Sequence, residues 1–225
     1  MLTGAGISAE SGISTFRDAD GLWEQHDIME VASIDGWHKN PALVLDFYNQ
    51  RRKQLREVEP NAGHLALVEL EQKFDVVIVT QNVDDLHERA GSSQIFHLHG
   101  ELRKARSGVD EMLVYDWDKD IHFGDLCEKG SQFRPHIVWF GELMPMISLA
   151  AAEVTEADIL LIIGTSLQVY PAAGLLDFAA DHAQIYYIDP NPGIVSKDEH
   201  LVILPEKATT GVRKVVDRLL NESDT

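Results

Sequence analysis

Short, unbroken apolar runs alternating with helical stretches limit what this chain can fold into more than any other feature. Residues 76–79 and 95–98, Ile159–Ile163 and Gln184–Ile188 are runs of this kind, with weaker candidates at 136–139 and Leu201–Leu204. Strands apolar on both faces belong to a parallel sheet covered on both sides. Between the runs, Asn40-Pro41 starts a helix with Pro in its first turn, and that helix continues through Arg56. Asn61 can cap the next, with Leu65, Val68 and Leu70 as its apolar face. Further helices are expected over about 149–156, 172–182 and 210–220. The alternation predicts an α/β fold, a Rossmann-like doubly wound parallel sheet. Ligands of such sheets lie at the carboxyl ends of the strands.

Two segments break the alternation. Residues 14–36 form a polar, mixed stretch with aromatic spots, and long loops of this type often serve function. Residues 103–134 carry many charges without a clear period and read as a small insertion. The expected organisation is one domain over 1–225. Its sheet core takes about 1–13, 61–102 and 135–225, and a small helical or inserted module takes about 37–60 and 103–134. The start is unusual, because Met1-Leu2-Thr3 leads at once into Gly4-Ala5-Gly6-Ile7-Ser8-Ala9, a turn that should follow a buried strand. The expectation is that the chain begins inside the natural protein, with a truncated first strand and exposed edges on its two neighbours.

Charge excludes several functions. Lys+Arg number 19 against 37 Asp+Glu, giving a formal net charge of −18, which disfavours a phosphate-backbone partner. A basic peptide remains a suitable substrate. No apolar run approaches the ~18–20 residues that span a bilayer, so neither nucleic acid nor membrane is an expected partner. Cys127 is the single cysteine, which rules out an internal disulfide and a Cys₄ zinc site and points to a reducing compartment, the cytoplasm.

The polar motifs fall where such a sheet would bind a ligand. Gly4-x-Gly6-x-x-Ala9 fits the dinucleotide fingerprint, whose glycines let the backbone approach a pyrophosphate, although no acidic residue ends a second strand ~20 residues later. Thr15-Phe16-Arg17-Asp18 and Gly21-Leu22-Trp23 suit a lid over a cofactor or a surface loop with apolar anchors. Gln81-Asn82-Val83-Asp84 stands at a strand end, where amides and a carboxylate can bind a ribose or carboxamide, or cap the next helix. His97-Leu98-His99-Gly100 ends another strand. The two histidines face one side, and His99 is the better general base. A metal pair is the competing chemistry, with no third ligand at suitable spacing. Gly164-Thr165-Ser166 offers N–H groups and hydroxyls to a phosphate or ribose, or is simply a turn. Tyr48 and Arg51 are spaced i, i+3 on one helix face, and a phenol with a guanidinium makes a carboxylate receptor.

Taken together, Gly4-Ala5-Gly6-Ile7-Ser8, Thr15-Phe16-Arg17-Asp18, Gln81-Asn82-Val83-Asp84, His99-Gly100, Phe140-Gly141-Glu142 and Gly164-Thr165-Ser166 resemble the sirtuin family of NAD-dependent protein deacylases. They occur in the family's order and cover nearly the whole chain. The Tyr48-x-x-Arg51 pair looks like the motif of the class III branch, which removes succinyl and malonyl groups from lysine in proteins or peptides. The resemblance implies NAD as cofactor. Gly4, Ala5, Gly6 and Ile7 would meet its pyrophosphate, and Phe16, Arg17 and Trp23, in a cofactor loop over 14–36, would close over the nicotinamide side. Gln81, Asn82, Val83 and Asp84 would hold the nicotinamide ribose and carboxamide. Gly164, Thr165, Ser166, Asp189, Pro190, Asn191 and Ala208 would line the adenosine half. His99 would be the general base. Tyr48 and Arg51 would hold the acyl carboxylate, and Val138, Phe140 and Gly141 the peptide, with 140–142 offering a strand edge. In this family the acyl oxygen attacks the ribose carbon bearing nicotinamide. The products are free lysine, nicotinamide and O-acyl-ADP-ribose.

Two departures stand out. Most sirtuins hold a structural zinc with four cysteines in the small module, and here Cys127 is alone, so no zinc is expected and the module must be held by its own packing. A site from Cys127 with His122 or His136 is the remote variant. Family members also usually place Asn where Asp189 stands. Competing readings of the same motifs are an NAD-dependent ADP-ribosyltransferase or NAD hydrolase, an NAD- or ADP-ribose-binding module, which would not need His99, and a hydride-transferring dehydrogenase.

Overall fold

The computed structural model describes residues 1–14, 22–23, 26–193 and 200–221. In chain order the strands are β1 (Leu2–Thr3), β2 (Leu22–Trp23), β3 (His26–Asp27), β4 (Ile78–Thr80), β5 (Ile95–His97), β6 (Gly100–Ser107), β7 (Val114–Asp116), β8 (Phe133–Ile137), β9 (Ile159–Ile163), β10 (Gln184–Ile188) and β11 (Leu201–Leu204). The helices are α1 (Ala5–Ser8), α2 (Ile28–Val31), α3 (Ile34–Lys39), α4 (Pro41–Glu57), α5 (Ala62–Leu70), α6 (Leu86–Ala90), α7 (Ile147–Thr155) and α8 (Ala208–Asn221), with a 3₁₀ run over Ala172–Phe178.

Six strands form a parallel sheet in the order β11-β10-β9-β1-β4-β5. From β1 the chain winds through β4 to β5 on one side and through β9 to β10 and β11 on the other, so the topological switch lies between β1 and β9. Despite its two residues, β1 is central: Leu2 pairs with Val79 and Ile162, and Thr3 with Thr80 and Ile163. The expected exposure of both neighbouring edges is therefore not what is found over these residues. One face of the sheet is covered by α5 and α8, whose Leu67, Leu70, Val212 and Val216 pack on Ile78, Leu161 and Ile188. The other is covered by α7 and the 3₁₀ run, through Ala150, Val154 and Leu175 against Val79 and Ile162.

Local chemistry sets the helix starts. Asn40 Oδ1 accepts from Leu43 N at 3.2 Å with Pro41 in the first turn, and Asn61 Oδ1 accepts from Gly63 N at 2.9 Å. The buried face of α5 is His64, Ala66, Leu67 and Leu70, and Leu65 points outward at 49% exposure, contrary to expectation. The helix expected over 172–182 is a shorter 3₁₀ run ending at Phe178, with Gly174 lowering helix propensity in its middle. The apolar run at 76–79 becomes a strand only from Ile78. Within 14–36 the described residues include the β2–β3 hairpin and α2.

The small module is an antiparallel sheet, β7-β6-β8, laid against α4. The run at 136–139 belongs here, through β8, and not to the parallel sheet. Its core is Leu45, Ala105, Ile121, Cys127 and Phe133, with Trp37, Tyr115 and Trp117 packed on it. Asn49 of α4 holds Ile121 at both ends: Nδ2 donates to its carbonyl at 3.0 Å and Oδ1 accepts from its N–H at 2.9 Å. Cys127 Sγ is buried and donates to Ser107 Oγ at 3.3 Å. Among the described residues, no group of three or more side chains close enough to hold a metal ion includes Cys127, His122 or His136.

Glu142, just after β8, gathers an ion cluster on the small sheet. Its Oε1 accepts from Arg106 at 2.9 Å and Arg134 at 2.8 Å, and Oε2 accepts from Arg134 at 2.8 Å and the Trp139 N–H at 2.9 Å. Burial would raise the Glu142 pKa, but the Arg134 contacts outweigh it and hold the carboxyl below its usual range. Removing one member of a buried charge cluster leaves the others uncompensated. We predict that Glu142→Gln lowers stability by roughly 3 kcal/mol, a fall in Tm of about 6–12 °C. Arg213→Ala, which removes a more exposed pair with Glu69, should cost less than about 1 kcal/mol. Equal effects in thermal melts would contradict this assignment.

Candidate active site

The site forms where the glycine turn after β1 meets the end of β9. Gly4 N–H donates to Ile163 O at 2.9 Å and Gly6 N–H to Gly164 O at 2.8 Å. A Cβ on Gly6 would lie 2.6 Å from Gly164 Cα, and Gly164 itself has a φ of +62°, so both positions require glycine. The turn N–H groups of Gly4, Gly6 and Ile7 are engaged within the protein, so the turn offers a phosphate close backbone approach and not those donors. Across the crevice, Gln81 Nε2 donates to Thr165 Oγ1 at 3.0 Å, which joins the end of β4 to the turn after β9. Beside it, Asp189 is buried and accepts from Asn191 N–H at 2.8 Å, closing the turn after β10. Ala208, at the start of α8, is buried in the core beside Ile7.

Beneath this crevice lies a buried polar network. Asn61 N–H donates to His64 Nδ1 at 3.3 Å, so His64 carries its hydrogen on Nε2, which lies 3.4 Å from Ser8 Oγ. Ser8 Oγ also takes a hydrogen from Asn82 Nδ2 at 3.2 Å and donates its own to Asp84 Oδ2 at 3.0 Å. The second Asp84 oxygen accepts from Leu86 N–H at 3.2 Å. Burial pushes the Asp84 pKa up to about 6 against the hydrogen bonds that favour the carboxylate. Burial likewise lowers His64 to about 4, keeping it neutral. Of this network the sequence reading singled out Asn82 and Asp84 and missed His64 and the role of Ser8. The signal was present for Ser8, inside the glycine motif, and for His64, three residues after a capping Asn.

His99 Nδ1 lies 2.7 Å from Gln81 O. A carbonyl only accepts, so Nδ1 carries the hydrogen and Nε2 presents its lone pair. Burial lowers the His99 pKa, with the Gln81 contact opposing, so the neutral imidazole is the working form near pH 7. His97 has other partners: Nδ1 lies 3.1 Å from Asn82 O and Nε2 2.6 Å from Glu88 Oε1. Burial works against a charged His97, yet the Glu88 contact outweighs it and raises the pKa. Glu101 stands close enough to make a third ligand, which spacing along the sequence did not reveal. Its carboxylate is held by Lys104 at 2.8 Å, so this cluster reads as two ion pairs.

The two residues expected at the acyl end, Tyr48 and Arg51, lie on α4. Tyr48 is buried, and Trp139 Nε1–H donates to its hydroxyl oxygen at 2.9 Å. Arg51 stands over the Phe47 ring at 5.4 Å and lines a small pocket with Ser14, Leu55, Val83, Asp84 and Leu102. The structure thus brings Arg51 to the motif at the end of β4. In the segment expected to meet the peptide, Val138 N–H donates to His99 O at 2.9 Å. Phe140 N–H donates to Ala32 O at 2.9 Å and its carbonyl accepts from Ile34 N–H at 3.1 Å. Of the segment expected to lend a strand edge, Phe140 has both backbone groups engaged with 32–34, Glu142 turns its side chain inward, and Gly141 stands at a φ of +89°. Thr15, Phe16, Arg17, Asp18 and Gly21 lie outside the described residues, as does the side chain of Trp23.

Comparison with known proteins agrees with this geometry. The Sir2 family profile matches residues 4–171. An NAD-dependent protein deacylase of Helicobacter pylori is 59% identical over 220 residues, covering 98% of this chain and 96% of that protein. One of Bacteroides thetaiotaomicron is 50% identical over 226 residues, covering 98% and 97%. The structure of a Sir2 homolog in complex with NAD superimposes with a TM-score of 0.87 at 37% identity, covering 97% of this chain and 88% of that one.

The Asp84 carboxyl generates a pH prediction. Its folded pKa, about 6, lies above the ordinary value of 3.8, so charging it in place costs stability as pH rises between those values. That cost is absent below about pH 4 and complete above about pH 7. Relative to the parent, Asp84→Asn should therefore gain roughly 3 kcal/mol in denaturant titrations between pH 4 and pH 7.5. A difference independent of pH would mean that Asp84 is not desolvated.

Proposed function

We propose that this chain, which belongs to the Sir2 family, is an NAD-dependent protein-lysine deacylase that removes succinyl and malonyl groups. The observation that carries the acidic-acyl assignment is Arg51 in one pocket with Val83 and Asp84. It sets a guanidinium within the motif assigned to the nicotinamide ribose, where the acyl group must arrive. In a chain of net charge −18, an anionic acyl tail needs such a local cation. The pocket, about 40 Å³, holds a few heavy atoms and not a long acyl chain.

The residues fit NAD through their donor set: amides, hydroxyls and carboxylates gathered at the carboxyl ends of β4, β9 and β10. When bound, NAD supplies a ribose carbon activated by its nicotinamide leaving group, to which the acyl oxygen adds. Gly4, Ala5, Gly6 and Ile7 give the pyrophosphate room to approach the backbone. Asn82 and Asp84, fixed through Ser8, orient the nicotinamide ribose and carboxamide with Gln81. Gly164, Thr165, Ser166, Asp189, Pro190, Asn191 and Ala208 serve the adenosine half. His99 Nε2 takes the proton of a ribose hydroxyl, because Gln81 O fixes the hydrogen on Nδ1. Tyr48 donates to the acyl carboxylate beside Arg51, and Val138 and Gly141 meet the peptide. No helix of the described residues is long and apolar enough to cross a membrane. With its one cysteine buried, the cytoplasm is the proposed location.

Two variants test the reading. His99→Ala should lose at least about a hundredfold in kcat on any acyl-lysine peptide. Arg51→Met should lose roughly ten- to hundredfold in kcat/KM on succinyl-lysine and far less on acetyl-lysine. Comparable loss on both acyl groups from Arg51→Met would overturn the acidic-acyl assignment.

A further inference from the structure

Spacing along the sequence shows no third ligand for a metal held by His97 and His99. The fold supplies other ligands for His97 and leaves His99 apart. Glu88 of α6, His97 of β5 and Glu101 of β6 each offer one ligand atom, and these three atoms lie within 4.8 Å of one another. Around a tetrahedral ion with bonds of about 2.0–2.1 Å, neighbouring ligand atoms stand about 3.3 Å apart. The two glutamates are partly exposed, so small rotations of their side chains close the difference.

His97 is the fixed point of the three. Its side chain is 8% exposed, with Nδ1 3.1 Å from Asn82 O and Nε2 2.6 Å from Glu88 Oε1. A carbonyl and a carboxylate only accept, so each ring nitrogen must present something positive to its partner. Either both nitrogens carry hydrogen, or Nδ1 carries it and a metal ion sits on Nε2. The second arrangement is the usual one for a metal-bound imidazole, whose N–H is donated to a backbone carbonyl that fixes ring and tautomer. Lys104 engages Oε1 of Glu101 at 2.8 Å, so that carboxylate can reach an ion through its other oxygen without breaking the pair. Two carboxylates and a neutral imidazole balance a dication. Mg²⁺ and Ca²⁺ favour all-oxygen shells, and the imidazole therefore selects the zinc class.

We propose that Glu88, His97 and Glu101 form a three-ligand site for a divalent cation of the zinc class, with water in the fourth position. Binding releases the Nε2 hydrogen of His97 to solvent as a proton. Free of metal, the cluster is the two ion pairs described above. None of its side chains is assigned to NAD or to the acyl group, so the site stands independently of the acyl reading. The ion would clasp α6, β5 and β6 together beside the Asn82 carbonyl.

The test titrates the chelator-treated full chain with ZnCl₂ by calorimetry, without NAD, and repeats the titration with MgCl₂. One zinc per chain is expected, with no saturable heat from magnesium. Glu88→Gln, Glu101→Gln and His97→Phe should each weaken zinc binding at least about tenfold. Lys104→Met, which removes a cation beside the site, should tighten it about threefold. Two controls should bind as the parent does: Cys127→Ser, and His182→Ala, which removes an exposed histidine 3.4 Å from Asp158. In thermal melts zinc should raise the Tm of the parent and not that of Glu101→Gln. Should His97→Phe fail to fold, the two glutamate variants decide the question. Absence of saturable zinc binding, binding unchanged in Glu88→Gln or Glu101→Gln, loss confined to a control, or equal binding of magnesium would each overturn the proposal.

Discussion

The architecture depends on one close approach, the glycine turn after β1 against the glycine turn after β9. Two backbones meet where a single added methyl carbon on Gly6 would lie 2.6 Å from Gly164 Cα. That contact sits at the topological switch of the sheet, where connections leave in opposite directions and open a crevice above the strand ends. With side chains at Gly4, Gly6 or Gly164 the two turns would separate, and Gln81 could no longer reach Thr165 across the gap. The site is thus a product of backbone packing, and its polar residues are placed by where their strands end.

From this approach the chemistry follows in layers. Ser8, at the end of α1, reaches down to His64 and across to Asn82 and Asp84, so the helix after the glycine turn fixes the residues after β4. Gln81 in turn fixes the His99 tautomer through its carbonyl. A buried carboxyl with a pKa near 6 is a destabilising feature that a purely structural core would avoid, and perturbed groups of this kind gather at functional sites. Environment alone leaves His99 neutral and Asp84 mostly charged near pH 7, the states that the base and orienting roles proposed for them require.

The parallel sheet was legible because its strands are continuous apolar runs, as at Ile159–Ile163 and Gln184–Ile188, and the polar motifs that end them point to the site. The small sheet was not. In β6 the buried apolar residues Leu102 and Ala105 stand three apart, because a bulge between Glu101 and Ala105 breaks the alternation that marks a strand. The same strand carries Arg103, Lys104 and Arg106, each held in an ion pair with a carboxylate, so its charges imitate a solvated loop. Residues 136–139 were assigned to the wrong sheet for a related reason: an apolar run does not say which partner it pairs with. The Ser8–His64 contact and the Trp139–Tyr48 contact join residues far apart in sequence, and no local pattern announces them. The inward turn of Glu142 was hidden in the same way, since its two arginines lie in other strands.

The most direct test of the account sets two substrates in competition. Unmodified protein, NAD and equal concentrations of succinyl-lysine and acetyl-lysine peptides of one sequence are followed together by mass spectrometry. The Arg51 pocket predicts that the succinyl peptide is consumed first, with nicotinamide released in step. Consumption of the acetyl peptide first would contradict the assignment of the acyl site.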